Sequence, residues 1–254
     1  MAAGPDWSDG EYERTARTLA PVAEVVLDAV RVESGERLLD VACGTGNAAL
    51  AAARRGALVH GVDPADALVA RAIERARESG IEAQFMVGDA LALPVADGAF
   101  DAVVSVFGVI FAPDPERAAA ELLRAGDRLA LSSWVPTGPI AAAGRLLMSA
   151  LPAPPSDPPR WGDATWVGDL LARHGATDVE ITEAALPVVA ASPKAWFEEH
   201  ERFHPVWRWA RRQLDEARWN RVREESVAAL RDESESPDAF LTTSRYLVIS
   251  ARAG

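Results

Sequence analysis

Cysteine is almost missing from this 254-residue chain: Cys43 is its single copy, so no intrachain disulfide and no multi-cysteine metal site can form. Basic side chains are scarce too, 26 Lys plus Arg against 38 Asp plus Glu, and the formal charge of −12 repels polyanions. Nucleic acid is therefore not an expected partner. A helix needs roughly 20 apolar residues to cross a bilayer, and the longest apolar run, residues 102–113, falls well short. No membrane is expected as a partner either. The opening MAAGPDWSDGEYE lacks a basic start followed by an apolar stretch, so neither a secretory signal nor a transit peptide is expected and the expected location is cytoplasmic. What is present is ordinary for a globular chain, 49% hydrophobic and 25% charged residues, enough for one large domain across 1–254.

Leu19, Val22, Val25, Val26 and Val30 recur at helical spacing, so 1–34 reads as an N-terminal helical segment with its helix over 11–32. Across 35–135 the texture changes. Residues 37–42 (RLLDVA) form a short apolar run closed by Cys43-Gly44-Thr45-Gly46, and 47–55 is an Ala-rich helix. The unit recurs, with strands at 58–63, 83–88, 101–107 and 128–134 and helices at 65–79 and 115–124. Five short apolar strands alternating with helices demand crossovers, which predicts an α/β fold with a parallel sheet covered on both faces. Segment 136–192 reads as a proline-rich lid loop (LPAPPSDPP, 151–159), a helix over 166–174 and a sixth strand over 178–186. Residues 193–243 are helical and unusually aromatic, an insertion that reads as a cap, and YLVISA closes 244–254 as a last strand.

A glycine turn between a strand and a helix start directs backbone N–H groups and the positive helix end toward a ligand. Gly44-Thr45-Gly46-Asn47-Ala48-Ala49 fits G-x-G-x-x-A, a pattern of dinucleotide sites, so an NAD(P)-dependent oxidoreductase using this turn is the rival reading. Asp40 opposes it. Four residues before Gly44, its carboxylate would face a pyrophosphate unfavourably and a cation favourably. A ligand bearing an ammonium and a sulfonium fits better. Asp63 ends the second strand, where a carboxylate can accept hydrogen bonds from a ribose diol, and Pro64 follows it. Asp89 follows the third strand, where it can accept from an exocyclic amine while the N–H of Ala90 donates to a ring nitrogen. Three acids at three successive strand ends open on the carboxyl edge of the sheet, where doubly wound folds bind ligands.

LLDVACGTGNAAL, HGVDPADALVARA, VGDALALPVADGAFDAVVS and the stretch from AAAELLR to LALSSW together resemble the class I S-adenosylmethionine-dependent methyltransferases, in the small-molecule, ubiquinone-biosynthesis-like branch, over about 35–135. The resemblance implies a Rossmann-like doubly wound sheet of seven strands in the order 3-2-1-4-5-7-6 with the last strand antiparallel. It implies S-adenosylmethionine as cofactor and S-adenosylhomocysteine as its product. By position, Asp40, Ala42, Gly44 and Gly46 would line the methionine portion, Asp63 and Pro64 the ribose, Asp89 and Ala90 the adenine. Val106 and the two residues after it would border the sulfonium. Ala42 stands at the family's first glycine, so the loop has to accept a Cβ, and Arg124-Ala125-Gly126-Asp127-Arg128 replaces the family's Pro-Gly-Gly turn. Trp7 and Tyr12 precede the first helix as in members whose N-terminal segment folds over the cofactor, where an aromatic face would meet a sulfonium. Packing of the first helix onto the sheet is the alternative for these two rings. The partner implied is a small, partly apolar methyl acceptor, with 193–243 as the substrate cap. Oxygen, nitrogen and carbon are all open as the receiving atom, and a homodimer is left open.

His200-Glu201-Arg202-Phe203-His204 spells H-E-x-x-H, the two-histidine helix of zinc hydrolases, with Glu224 and Glu225 in range as a third ligand. Pro205 disfavours helical backbone at His204, so the helix is expected to end or kink there. A zinc reading also leaves the glycine turn unexplained, and no metal is expected. On the substrate side, His200 or His204 could take a proton from an acceptor hydroxyl or amine. The rings of Trp196, Phe197, Phe203, Trp207, Trp209 and Trp219 could wall an apolar acceptor pocket or fill the insertion's own core.

Overall fold

The computed structural model describes residues 5–152 and 160–254. Its elements are α1 (Tyr12–Val30), β1 (Arg37–Val41), α2 (Asn47–Arg54), β2 (Leu58–Asp63), α3 (Asp66–Glu78), β3 (Gln84–Val87), β4 (Phe100–Val106), α4 (Pro115–Ala125) and β5 (Gly126–Trp134). Then come α5 (Gly138–Ala150), α6 (Ala164–Arg173), β6 (Thr177–Ala190), α7 (Pro193–Phe203), α8 (Pro205–Gln213), α9 (Glu216–Asp232) and β7 (Phe240–Arg252). The strands form one seven-stranded sheet in the order β3-β2-β1-β4-β5-β7-β6, as the resemblance implied. Contacts along the chain group into two compact units. A sheet unit holds residues 16–134, 160–184 and 246–254; an aromatic unit holds residues 5–15, 135–152 and 185–245.

In the sheet unit the central strands are apolar on both faces because helices cover both. Leu38, Leu39 and Val41 of β1, Val103 and Val104 of β4, and Leu129 and Leu131 of β5 are at most 1% exposed. Each such side chain contributes about 1.5–3 kcal/mol by leaving water. β1 pairs in parallel with β2 and β4, β2 with β3, and β4 with β5, while β7 runs antiparallel to β5. The register sets Asp63 opposite Val87, Val106 opposite Ser132, and Trp134 opposite Tyr246. The carboxyl ends of β1 to β5 therefore lie along one edge, and the reversed β7 brings Tyr246 to it. Asp114 and Asp163 start α4 and α6 by accepting from Arg117 N–H and Trp166 N–H.

The aromatic unit is built differently. Leu147 of α5, Trp196 and Phe197 of α7, Trp207 of α8, Trp219 of α9 and Phe240 close a core of their own. Residues 5–15 are stitched to its helices: Glu11 N–H donates to Phe203 O, and Asp9 pairs with Arg208 and Arg212. Gly10 is required here, since its φ of +86° is left-handed and a Cβ would stand 2.3 Å from Phe203 O.

Three elements differ from the sequence reading. α5 stands where the pattern after Trp134 gave no element, β6 runs to Ala190, and β7 starts at Phe240 instead of 244. The last two strands are long and edge-proximal, with mixed exposure that blurs the apolar alternation. Most of the expected lid loop, 153–159, lies outside the described residues. Among the described residues no helix is long and apolar enough to cross a membrane.

Candidate functional site

The loop between β1 and α2 turns on left-handed backbone at Ala42 (φ 54°), Gly44 (φ 54°) and Gly46 (φ 83°). A Cβ on Gly46 would come within 3.3 Å of Ala72 and the Phe85 ring. Ala42 already carries one, at a strain of about 1 kcal/mol. The turn after β4 is drawn tightly against it: a Cβ on Gly108 would stand 2.5 Å from the Ala42 Cβ. Ser105 ties the same two turns, its Oγ donating to Val41 O and accepting from Val109 N–H, each at 2.9 Å. From α3, Arg75 donates to Thr45 O at 2.6 Å and to Asn47 Oδ1 at 2.9 Å. Nothing in the sequence marks Ser105 or Arg75; only strand register and the α3 crossover bring them to the loop that Gly108 was expected to border.

Two carboxylates sit under this loop, Asp40 at 2% and Asp63 at 6% exposure. Asp63 accepts from Gly44 N–H at 2.8 Å and from Ala65 N–H at 2.9 Å, one bond to each oxygen. Asp40 Oδ2 accepts from Ala49 N–H at 2.9 Å, in the first turn of α2. This reverses part of the expected arrangement. Glycine-loop and helix-start N–H groups that would cradle an anion are turned inward onto carboxylates. Burial pushes the Asp40 carboxyl up to about 7 against the Ala49 N–H bond, with the nearby Asp63 charge pushing the same way. Burial likewise raises Asp63, against the two N–H bonds it accepts. Among the described residues no Arg, Lys or His pairs with either acid, and Asp40 Oδ1 has no hydrogen-bond partner. Buried carboxyls of this kind either hold a proton or meet a cation that arrives from outside.

Asp89 lies just past β3, exposed, with Oδ1 accepting from Leu91 N–H at 2.9 Å; Ala90 beside it is buried. Gly88 N–H donates to Asp63 O at 3.1 Å, which holds the Asp89 turn beside the end of β2. Pro64 is exposed and Val106 half-buried at the end of β4. Beyond Val106 stands a group that the sequence does not announce. Phe107, left-handed at φ 53°, lies face to face with Trp134, ring centroids 3.8 Å apart and planes 4° apart. Tyr246 meets both edge-on, at 5.6 and 6.2 Å. The three come from the ends of β4, β5 and β7, far apart in sequence and joined only by register.

Asp40, Ala42, Gly44, Gly46, Asp63, Asp89, Ala90 and Val106 thus share one edge of the sheet unit, as expected. Trp7 and Tyr12 belong to the aromatic unit, where Trp7 stands edge-on to Tyr12 at 5.7 Å and to His204 at 6.2 Å. Pro205 has the predicted effect: α7 ends at Phe203, and His204 is extended at φ −86°, ψ 124°. The H-E-x-x-H residues therefore do not share one helix. Glu201 accepts from Trp219 Nε1 and Arg223, which holds α7 to α9, and Glu224 and Glu225 are exposed. Among the described residues no three His, Cys, Asp or Glu side chains are placed to hold a metal. Trp196, Phe197, Trp207 and Trp219 belong to the unit's own core, and Phe203 is covered by Arg14 and Arg202.

A sequence model described as "Methyltransferase domain" matches residues 38–126. An uncharacterised protein of Mycobacterium tuberculosis is 37% identical over 192 residues, covering 72% of this chain and 69% of that protein. Demethylmenaquinone methyltransferase of Thermus thermophilus is 39% identical over 131 residues, which span 51% of this chain and 53% of the enzyme. Among solved structures, phosphoethanolamine N-methyltransferase 2 of Haemonchus contortus in complex with S-adenosyl-L-methionine superimposes with a TM-score of 0.58 at 18% identity, covering 92% of this chain and 53% of that one.

Proposed function

The chain belongs to the class I S-adenosylmethionine-dependent methyltransferases, and on that premise we propose that it methylates an oxygen, nitrogen or carbon of a small, partly apolar metabolite. Alignment and exclusion of water are its main contributions to rate. The observation that carries this reading is the pair of buried carboxylates, Asp40 and Asp63, with no Arg, Lys or His paired to them among the described residues. When bound, S-adenosylmethionine supplies an activated methyl group on a sulfonium, together with an ammonium and a ribose diol. The residues present fit such a molecule. Asp40 Oδ1 is an unused acceptor for an ammonium. Asp63 keeps one lone pair on each oxygen after accepting from Gly44 and Ala65, enough for a diol. Asp89 Oδ2 and Ala90 N–H offer an acceptor and a donor to a purine edge, and Val106, Phe107 and Gly108 border the reacting carbon. Ser105 and Gly108 hold that border fixed against the loop.

The name of the Thermus relative supports an apolar acceptor, since it acts on demethylmenaquinone. A nicotinamide cofactor on the same turn fits worse, because the Gly44 and Ala49 amides are committed to carboxylates. His200 remains the candidate for a proton-accepting role, in the aromatic unit, whereas burial pushes His204 down to about 3 and its Nδ1 already receives Val206 N–H. Calorimetric titration with S-adenosylhomocysteine tests the proposal: a saturable heat at micromolar concentration is expected, and none with NADH. Release of S-adenosylhomocysteine against a panel of hydroxyl, amine and carbon acids then finds the acceptor. Absence of heat with S-adenosylhomocysteine overturns the reading.

A further inference from the structure

The peptide between Thr45 and Gly46 is held on both sides. Its carbonyl, Thr45 O, accepts from Arg75 Nη1 at 2.6 Å, and its N–H, on Gly46, donates to Cys43 O at 2.8 Å. Thr45 is 2% exposed and Gly46 is buried, so these bonds are made inside the fold. The same Arg75 nitrogen reaches Thr45 Oγ1 at 3.0 Å and Asn47 Oδ1 at 2.9 Å. Asn47, the first residue of α2, uses both ends of its amide, since Nδ2 donates to Ala16 O of α1 at 2.6 Å. Arg75, Asn47 and Ala16 thus form one chain of hydrogen bonds that runs from α3 over the glycine turn to α1.

A peptide beside a left-handed glycine rotates easily, because glycine opposes neither orientation. Rotated, the Thr45–Gly46 peptide would set its carbonyl against Cys43 O and lose both bonds. The consequence reaches Asp40. Gly46 O accepts from Leu50 N–H at 2.9 Å as α2 begins, and one residue earlier Ala49 N–H holds Asp40 Oδ2. The start of α2 and the carboxylate beneath it are therefore fixed by the plane that Arg75 holds. α1 depends on the turn in its own way. Pro21 stands inside this helix and supplies no N–H to its ladder, which weakens the turns before it, and Asn47 is a tie that reaches them from outside.

We infer that Arg75 and Asn47 are positioning residues for the methyl donor: Arg75 fixes the turn that receives it, and Asn47 carries the state of that turn to residues 16–20 of α1. This rests on the function proposed above, with Asp40 as the acceptor for the ammonium. Coupling of this kind is reciprocal, so a ligand that steadies the turn also steadies α1.

Calorimetry with S-adenosylhomocysteine and hydrogen exchange on the same samples test it. Arg75→Met should weaken binding about tenfold, the worth of one hydrogen bond to a charged group. All three contacts pass through one nitrogen, a point donor that an ammonium can imitate, so Arg75→Lys should recover most of the loss. In the wild type the ligand should slow exchange at amides 17–20 about tenfold, together with those of the turn. Asn47→Asp keeps the oxygen that Arg75 uses and sets another against Ala16 O; there the ligand should protect the turn and leave 17–20 unchanged. Should Arg75→Met not fold, Asn47→Asp decides alone. Equal affinity of wild type and Arg75→Met, lysine no better than methionine, unprotected 17–20 in the wild type, or protection there that survives in Asn47→Asp would each overturn the inference while the wild type still binds. A wild type that gives no heat overturns the methyl-donor reading as well, which tells the two failures apart.

Discussion

In the aromatic unit Asp9 meets Arg208 and Arg212, and Glu201 meets Arg223; in the sheet unit, among the described residues, Asp40 and Asp63 are hydrogen-bonded only by backbone N–H groups. The interiors differ as well. Tryptophan and phenylalanine fill the former; leucine, valine and alanine make up most of the latter, where Phe107, Trp134 and Tyr246 gather at the strand ends. Acids closed by arginine satisfy their own charge and serve the fold. Acids closed by amides, under glycine and out of water, leave charge unanswered, and that marks where a cationic ligand belongs.

Changes on either side of this contrast would break or sharpen it. Asp63→Ala removes the diol acceptor and the anchor of Gly44 and Ala65 together; calorimetry should show affinity for S-adenosylhomocysteine falling about 100-fold, two charge-assisted bonds' worth. A tenfold smaller loss would mean that the carboxylate serves the loop alone. Asp40→Asn acts through pH. The folded chain binds a proton at Asp40 up to about 7, whereas the ordinary value is 3.8. Between those values the folded state holds a proton that the unfolded state has released, so stability falls as pH rises. The melting temperature of the wild type should therefore drop from pH 5 to pH 8, and that of Asp40→Asn should drop by roughly 5 °C less. Parallel curves would remove Asp40 from the contrast.

Arg223→Met opens the Glu201 pair. Arg223 is substantially exposed, so after solvent screening the loss is about 1 kcal/mol, or roughly 2–4 °C of melting temperature, shrinking at high salt. A loss insensitive to salt would show that packing of the arginine stem dominates. The smallest effect is expected from Ala42→Gly: relief of left-handed strain exceeds the added chain entropy by about 0.5 kcal/mol, so the variant should melt slightly higher. A lower melting temperature would mean that the Ala42 Cβ stabilises the turn through its packing on Gly108.

Strand order was legible through the family resemblance, whereas the edge carrying Asp40, Asp63 and Asp89 was legible from local signals, short apolar runs ended by glycine or aspartate. The break at His204 was legible for the same reason, since proline acts on its immediate neighbour. What those acids do was less so. Whether an amide faces a ligand or a carboxylate depends on how the loop closes over β2, 19 residues away between Gly44 and Asp63. The Phe107, Trp134 and Tyr246 group is set by pairing across three strands, and no window of sequence contains it. The aromatic run 193–243 left a pocket wall and a core both open; helices α7 to α9 have few aliphatic residues with which to build a core and use their tryptophans for it.

The carboxyl of Asp40, poised close to neutrality, has a thermodynamic signature. A cation that settles against it favours the ionised form and sends a fraction of a proton into solution. The heat of association then contains the buffer's own enthalpy of protonation, and differs between phosphate and Tris at one pH. The protein reports the charge of its guest by what it gives up to receive it.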